Sequence, residues 1–406
     1  MKSQPNILVR GKSWCYGFVL LFVTAGLPAM TYAAKMSTSH AITLFMAGDI
    51  MIGRGIDQVL PHPGDPRLYE PYVKDAGGYV ALAEAANGNI QKPLRCETLW
   101  GAALPEWQRI APDVRLVNLE TSITTSRDYW PGKGIHYKMH PENITCLSEA
   151  GIDHCSLANN HVLDWGYGGL GETLASLAAA GIGFSGAGEN LEQAERAAII
   201  DVADKGRIIV FSYGFRSSGI SSDWAAQADQ AGVNLLPDLS ARTVRRVRQQ
   251  VEELKQAGDI VIASIHWGSN WGYAVPRRHI DFAHGLIDEA GVDVIHGHSS
   301  HHPRPLEVYN GKLIIYGSGD FINDYEGIGG YEEYRDDLVL MYFADIDPGS
   351  GKLVRLQLVP MQIKRFSLRR ASAADSQWLQ QTLNREGRLM GTRLKLTEDL
   401  VLTLEK

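Results

Sequence analysis

Only four cysteines occur in 406 residues, too few for a scaffold held together by disulfides. Beyond the N-terminus no segment offers the roughly 20 consecutive apolar positions that a membrane helix needs. No stretch is of low complexity, and 45% hydrophobic with 21% charged residues excludes disordered and collagen-like chains. Positive charge is also scarce: 39 Lys and Arg face 46 Asp and Glu, a net charge of −7. The first 34 residues hold Lys2, Arg10 and Lys12 and no acid, so the remainder carries −10. A body of that sign has no general attraction for nucleic acid or an anionic bilayer. No nucleic-acid partner is expected, and any grip on an anionic substrate must come from a local pocket or a bound metal.

The N-terminus reads as a targeting segment over residues 1–34. Its three cations precede an apolar run over 14–23, which passes through Gly26 and Pro28 to the small residues Thr31, Ala33 and Ala34, spaced as in a signal-peptidase site. Cleavage after Ala33 or Ala34 is expected, with an uncleaved anchor as the alternative, and the body is expected outside the cytoplasm: periplasmic, secreted or envelope-attached. Removal of the segment leaves Cys96, Cys146 and Cys155. An odd, sparse set argues for buried thiols, with a single Cys146–Cys155 bridge as the alternative.

One pattern recurs four times: a helix-like stretch, an Ala-Gly pair, an apolar β-rich run, then polar residues. The pairs are Ala150-Gly151, Ala180-Gly181, Ala257-Gly258 and Ala290-Gly291. Glycine just past a helix stops it, and a continuous apolar run suits a strand buried on both faces. The clearest helix follows Asp238 or Ser240 as N-cap, with Val244, Val247, Val251 and Leu254 on one stripe. Upstream, AITLFMAGDI and VRLVNLETSI read as the first two core strands. Downstream, KLIIYGSGDF, LVLMYFADID and KLVRLQLVPMQI read as antiparallel additions, followed by a helix near 375–388 and a short strand at 400–404. Residues 41–406 are expected to form one domain. An irregular insertion at about 57–112 is expected to lie over the functional face.

Nearly every expected strand ends, on its carboxyl side, in a residue able to bind metal. These are Asp49, Glu120, Asn160 with His161, His266, and His298 followed by His301. In open α/β sheets ligands bind beyond the strand carboxyl ends, so these residues converge there. Carboxylates and imidazoles with a neutral amide, and no thiolate, suit Mn, Fe or Zn. Two such ions held close together would activate water for hydrolysis.

The segments MAGDIMIGRG, RLVNLETSIT, SLANNHVLDWGYGGLGETLASLAAAGI, SIHWG and GHSSHHPRPLEVYNGKLIIYGSGDFI, in this order over about 43–330, resemble the bacterial capsule-synthesis CapA (poly-γ-glutamate biosynthesis) family, whose fold is similar to that of calcineurin-like metallophosphatases. The resemblance implies a four-layer α/β/β/α sandwich, with a C-terminal extension at 331–406 adding antiparallel strands. It also implies a cofactor of two divalent ions. Glu120 would bridge them, Asn160, His266 and His298 would complete one site, and Asp49 with His301 the other. His161 would protonate the leaving atom and Asp164 would orient it, while His296 and His302 would play supporting parts. The implied partners are an anionic polymer, or a phosphorylated or γ-glutamyl substrate, and membrane-bound polymer synthase components.

Two positions depart from the metallophosphatase pattern. Met51 stands where a ligand histidine is usual, which predicts a weaker Asp49 site and favours the alternative of a non-catalytic polymer- or partner-binding subunit of an export complex; a periplasmic phosphoesterase unrelated to capsule is the other alternative. Glu120 stands in place of Asp. Substrate anchors are expected at Arg54 and in the GKGIHYKMH loop, at Lys133, His136, Tyr137 and Lys138. Residues 320–325 are expected to supply acids behind the ligands.

Overall fold

The structure is a computed structural model that describes residues 41–405; the expected targeting segment lies outside the described residues. Two sheets face one another. In the first, Ile42–Ile50, Val114–Leu119, His154–Ser156 and Gly183–Ser185 run parallel, and Leu338–Asp347, Lys352–Ile363, Leu402–Leu404 and Leu394–Leu396 extend the sheet antiparallel on the other side of Ile42–Ile50. In the second, Gly206–Gly214, Ile260–His266, Val294–His298 and Lys312–Ile315 run parallel, edged by antiparallel Ala198–Val202 and Leu306–Tyr309.

Alternation along each strand builds three apolar layers. Leu44, Met46, Val114 and Leu116 meet Val210, Ile260, Ile262 and Val294 between the sheets. Phe45, Ala47 and Val117 face outward instead, against Leu170, Leu174 and Leu177 of the Gly166–Ala179 helix and against Trp100 and Trp107. On the far side Val261, Ala263 and Ile295 pack on Val244, Val247 and Val251 of the Ala241–Leu254 helix and on Phe282 and Leu286 of the Arg277–Asp288 helix. The result is the α/β/β/α sandwich expected. Strands with both faces covered must be apolar on both, which is why they read as continuous runs. Among the described residues no helix is long and apolar enough to cross a membrane.

Four expectations need correction. KLIIYGSGDF is not an antiparallel addition: the Leu306–Tyr309 strand turns tightly into Lys312–Ile315, which therefore pairs parallel with Val294–His298. The Gly206–Gly214 strand, absent from the expected set, lies in the second sheet between Ile260–His266 and the edge strand Ala198–Val202. The 57–112 insertion is only partly irregular: it carries the helices Gly77–Asn87, Cys96–Trp100 and Ala103–Ile110, and its Trp100 and Trp107 pack on the outer face of the first sheet. Finally, Cys96 and Cys146 are disulfide-bonded and Cys155 is a free buried thiol. The bridge ties the insertion to the Thr145–Glu149 helix, next to the hydrogen bond from Trp100 Nε1 to the Cys146 carbonyl at 2.7 Å.

Candidate metal and catalytic site

Because the central strands of both sheets are parallel, their carboxyl ends open at one edge. On Ile42–Ile50 the register with Val114–Leu119 shifts between Met46 and Asp49. Phe45 and Ala47 face the outer layer, and beyond the shift Ile50 does so too; the irregularity thus turns Asp49 inward. Inward-facing Ile260 and Ile262 are followed on the same face by Ser264 and His266, and Val294 by His296 and His298. The inter-sheet layer therefore changes from aliphatic to serine and histidine as it nears this edge.

Asp49, His266 and His298 each offer one ligand atom within 4.8 Å of the others, and Asp49, Glu120, His301 and Asp320 form a second such group. All six are buried. Asn160 joins them through Oδ1, 2.8 Å from His266 Nε2, and His266 Nδ1 lies 2.8 Å from His298 Nδ1. Glu120 Oε1 is 3.6 Å from His266 Nε2. Asp49 thus stands in both groups, the place the resemblance assigns to Glu120. Met51 is buried, and the fourth ligand atom of the second group comes instead from Asp320, a residue expected only as a supporting acid. The Asp320–Ile322 strand pairs parallel with the end of Ile42–Ile50, setting Asp320 beside Asp49. That pairing needs Gly48, where a Cβ would stand 1.7 Å from the Gly319 carbonyl oxygen.

Three carboxylates crowded out of water are short of positive charge. Burial, reinforced by Asp320, pushes the Asp49 carboxyl up to about 7, and burial with Asp49 and Asp320 nearby raises Glu120 well above the usual range. Asp49 Oδ2 and Glu120 Oε2 are buried with no hydrogen-bond partner among protein groups. Burial holds His266 and His298 far below ordinary histidine, so both are neutral donors of a lone pair. Orphaned carboxylate oxygens facing neutral imidazoles and an amide oxygen fit a divalent cation.

Beside this cluster His161 Nδ1 lies 2.6 Å from Asp164 Oδ2, which also accepts from the Tyr137 backbone N–H at 2.7 Å. The Tyr137 ring stacks on the imidazole at 3.9 Å. Asp164 is raised to about 6 by burial, against the pull of Lys133. His161 is held well below its usual range by burial and the neighbouring Lys133. Asn159 steadies both halves of the site: its Oδ1 accepts from His161 N at 3.0 Å, while its Nδ2 donates to Asn118 Oδ1, and Asn118 donates to Asp49 Oδ1 at 2.8 Å.

The expected substrate anchors divide. Lys133 reaches the site, yet its Nζ is taken by Asp164 Oδ1 and the Asn160 carbonyl, with His161 Nδ1 at 3.0 Å. Tyr137 also reaches it, its hydroxyl 2.7 Å from that of Tyr325. His136 and Lys138 do not. Along an extended segment alternate residues point to opposite sides, so His136 packs among Tyr129, Tyr69 and Trp165, and Lys138 Nζ sits 3.7 Å over the Trp165 ring. Arg54 is buried and already paired, bidentate to Asp324 and again to Glu70. Sequence reasoning passed over Asn118 and Asn159 and gave Asp320 only a supporting part. Asp320 carried a usable signal, since it follows the apolar run KLIIY much as the other acids follow theirs.

The family model "Bacterial capsule synthesis protein PGA_cap" matches residues 43–325. The chain is 49% identical over 362 residues to a probable polyglutamine synthesis accessory protein of Mycobacterium tuberculosis, covering 89% of this chain and 95% of that protein. It is 27% identical over 352 residues to the PGA biosynthesis protein CapA of Bacillus subtilis, covering 85% and 78%. Among solved structures, a novel phosphatase of Mycoplasma pneumoniae superposes with a TM-score of 0.42 at 11% identity, over 79% of this chain and 94% of that one. The chain belongs to the bacterial capsule synthesis PGA_cap family.

Proposed function

We propose that the protein is an exported, metal-dependent hydrolase that acts on an anionic exopolymer of the poly-γ-glutamate type or on a phosphorylated precursor of it. One observation carries this reading: seven candidate ligands and a His161–Asp164 dyad, drawn from distant segments, converge at one sheet edge. Asp49, Asn160, His266 and His298 would hold one divalent ion, and Asp49, Glu120, His301 and Asp320 a second, of Mn, Fe or Zn. When bound, such ions polarise a phosphoryl or carbonyl oxygen and ease deprotonation of water.

The chain's own groups do the rest. Asp164 accepts the proton of His161 Nδ1, so Nε2 faces outward as the atom that exchanges a proton with the leaving group. Lys133 neutralises Asp164 and keeps it ionised. Tyr137, stacked on the ring, holds its rotation. The reading of this chain as a non-catalytic polymer-binding subunit draws its support from Met51, and Asp320 weakens that support by giving the second group a fourth ligand. The Cys96–Cys146 bridge supports export, because disulfides persist in oxidising compartments.

The test combines elemental analysis with assays on an aryl phosphate and a γ-glutamyl anilide in added Mn²⁺. His161→Asn should keep its metal and its fold while turnover drops by roughly 10²–10⁴. If metal binds, both substrates stay untouched, and the variant still supports polymer production in cells, the catalytic reading gives way to the binding one.

A further inference from the structure

Beneath the site, the inter-sheet layer carries a closed set of hydrogen bonds that the proposed chemistry does not use. His296 Nε2 lies 2.8 Å from the Ala47 carbonyl, and its Nδ1 lies 3.0 Å from Ser264 Oγ. Ser264 Oγ is also 3.0 Å from His298 Nε2 and 2.6 Å from Ser156 Oγ. From there the chain runs through Ser212 at 2.8 Å and Ser185 at 2.7 Å to His154 Nε2 at 3.0 Å.

Proton positions in this set follow from one fact, that a carbonyl only accepts. His296 Nε2 must therefore carry a hydrogen. With no carboxylate among its partners and no exposure to water, a doubly protonated ring would be an unpaired buried charge, so His296 is neutral and its Nδ1 is a lone pair. The single Ser264 hydroxyl proton must point at that lone pair. His298 Nε2 cannot then accept from Ser264 and must donate to it. We infer that Ser264 and His296 act as a positioning relay that holds His298 in the Nε2–H tautomer, so that Nδ1 is the atom presented to the metal site.

The rest of the set can be followed in the same direction. Ser264 has spent its proton, so Ser156 donates to it, Ser212 donates to Ser156, Ser185 to Ser212, and His154 Nε2–H to Ser185. That direction leaves His154 Nδ1 a bare acceptor, and it is a buried atom without any partner. Every hydroxyl donates once; the reverse direction would leave His154 Nδ1–H an orphaned donor at the same atom. His298 Nδ1 points toward His266 Nδ1, at 2.8 Å, within the group that includes Asp49; His266 must then carry its hydrogen on Nδ1, which leaves its Nε2 a lone pair beside Asn160 Oδ1, two ligand atoms that a cation would join. A preset tautomer spares the site the cost of reorienting a ligand when metal arrives.

The relay rests on the metal reading for its purpose, but its tautomer is measurable without metal. In chelated, histidine-¹⁵N-labelled full-length protein, long-range ¹H–¹⁵N correlation should show His298 with a protonated Nε2 and an unprotonated Nδ1, the signals being assigned by their loss in His298→Gln. Ser264→Ala should mix the tautomers and weaken Co²⁺ binding by about 10–100-fold, as loss of an outer hydrogen-bond partner does. Ser264→Thr, which keeps the hydroxyl, should restore both readouts. An Nδ1–H tautomer in the wild type overturns the relay, as does a folded Ser264→Ala protein with wild-type Co²⁺ affinity. A wild type that shows the Nε2–H tautomer yet binds no Co²⁺ upholds the relay and overturns the metal reading.

Discussion

Replacing Asp49 with asparagine should stabilise the metal-free protein and destroy its response to metal, two effects of opposite sign. Folding moves this carboxyl from its ordinary 3.8 up to about 7 by burial and by the charge of Asp320. Its folded pKa is raised, so the folded state keeps the proton where the unfolded chain has lost it. The cost of ionising it is absent below pH 4, grows through pH 4–7, and is complete above about 7. At about 1.4 kcal/mol per pH unit the full cost is on the order of 4 kcal/mol, of which roughly 3 kcal/mol falls between pH 5 and pH 8.

In the Asp49→Asn protein the amide oxygen would still accept the hydrogen bond from Asn118 while carrying no charge. The buried His154, His296 and His302 are also shifted, but they are common to both proteins and cancel in the difference, while Glu120, raised in part by Asp49, is relieved in the variant and adds to the effect with the same sign. Urea unfolding in chelator should therefore show the two proteins closest at pH 5, with the variant more stable by roughly 3 kcal/mol further at pH 8. Mn²⁺ at a hundredfold excess over the dissociation constant should then close most of that gap, adding about 2.7 kcal/mol to the wild type and nothing to the variant. A variant less stable than wild type in chelator at pH 8, or one stabilised equally by Mn²⁺, would refute the electrostatic account of the cluster.

Asp320→Asn should cost one of two bound ions at limiting metal, read by elemental analysis; two ions held as tightly as in the wild type would return Asp320 to a merely supporting part. Lys133→Met removes the cation that opposes the rise of Asp164, whose carboxyl stands at about 6. Since Asp164 must be ionised to hold His161, activity should rise with pH through that value in the wild type and through a higher one in the variant; an unmoved acid limb counts against the assignment. Replacing Cys96 and Cys146 together by Ser should lower stability by on the order of 4 kcal/mol, the loop-closure entropy expected for the 50-residue separation. Equal urea midpoints for the two proteins would contradict that.

The chain by itself determined the layers and most of the site. Strands buried on both faces must be apolar throughout, so a polar residue at the end of such a run stands out, and Asp49, Glu120, Asn160, His266, His298 and His301 were legible for that reason. His161 and Asp164 were legible through the resemblance to the metallophosphatase pattern, which gave both their parts. What local spacing does not encode is which distant segments lie side by side. Asp320 became a neighbour of Asp49 only through the parallel pairing at Gly48 and Gly319, and Cys96 met Cys146 only because the insertion folds back onto the sheet. The same holds for orientation. His136, Tyr137 and Lys138 are equivalent as a composition, yet the extended backbone sends Tyr137 to His161 and its two neighbours to the Trp165 side, and burial against Asp324 and Glu70 engages an arginine that looked free. Residue chemistry and period are properties of the chain; register, pairing and the desolvation that sets each charge are properties of the packed sheets.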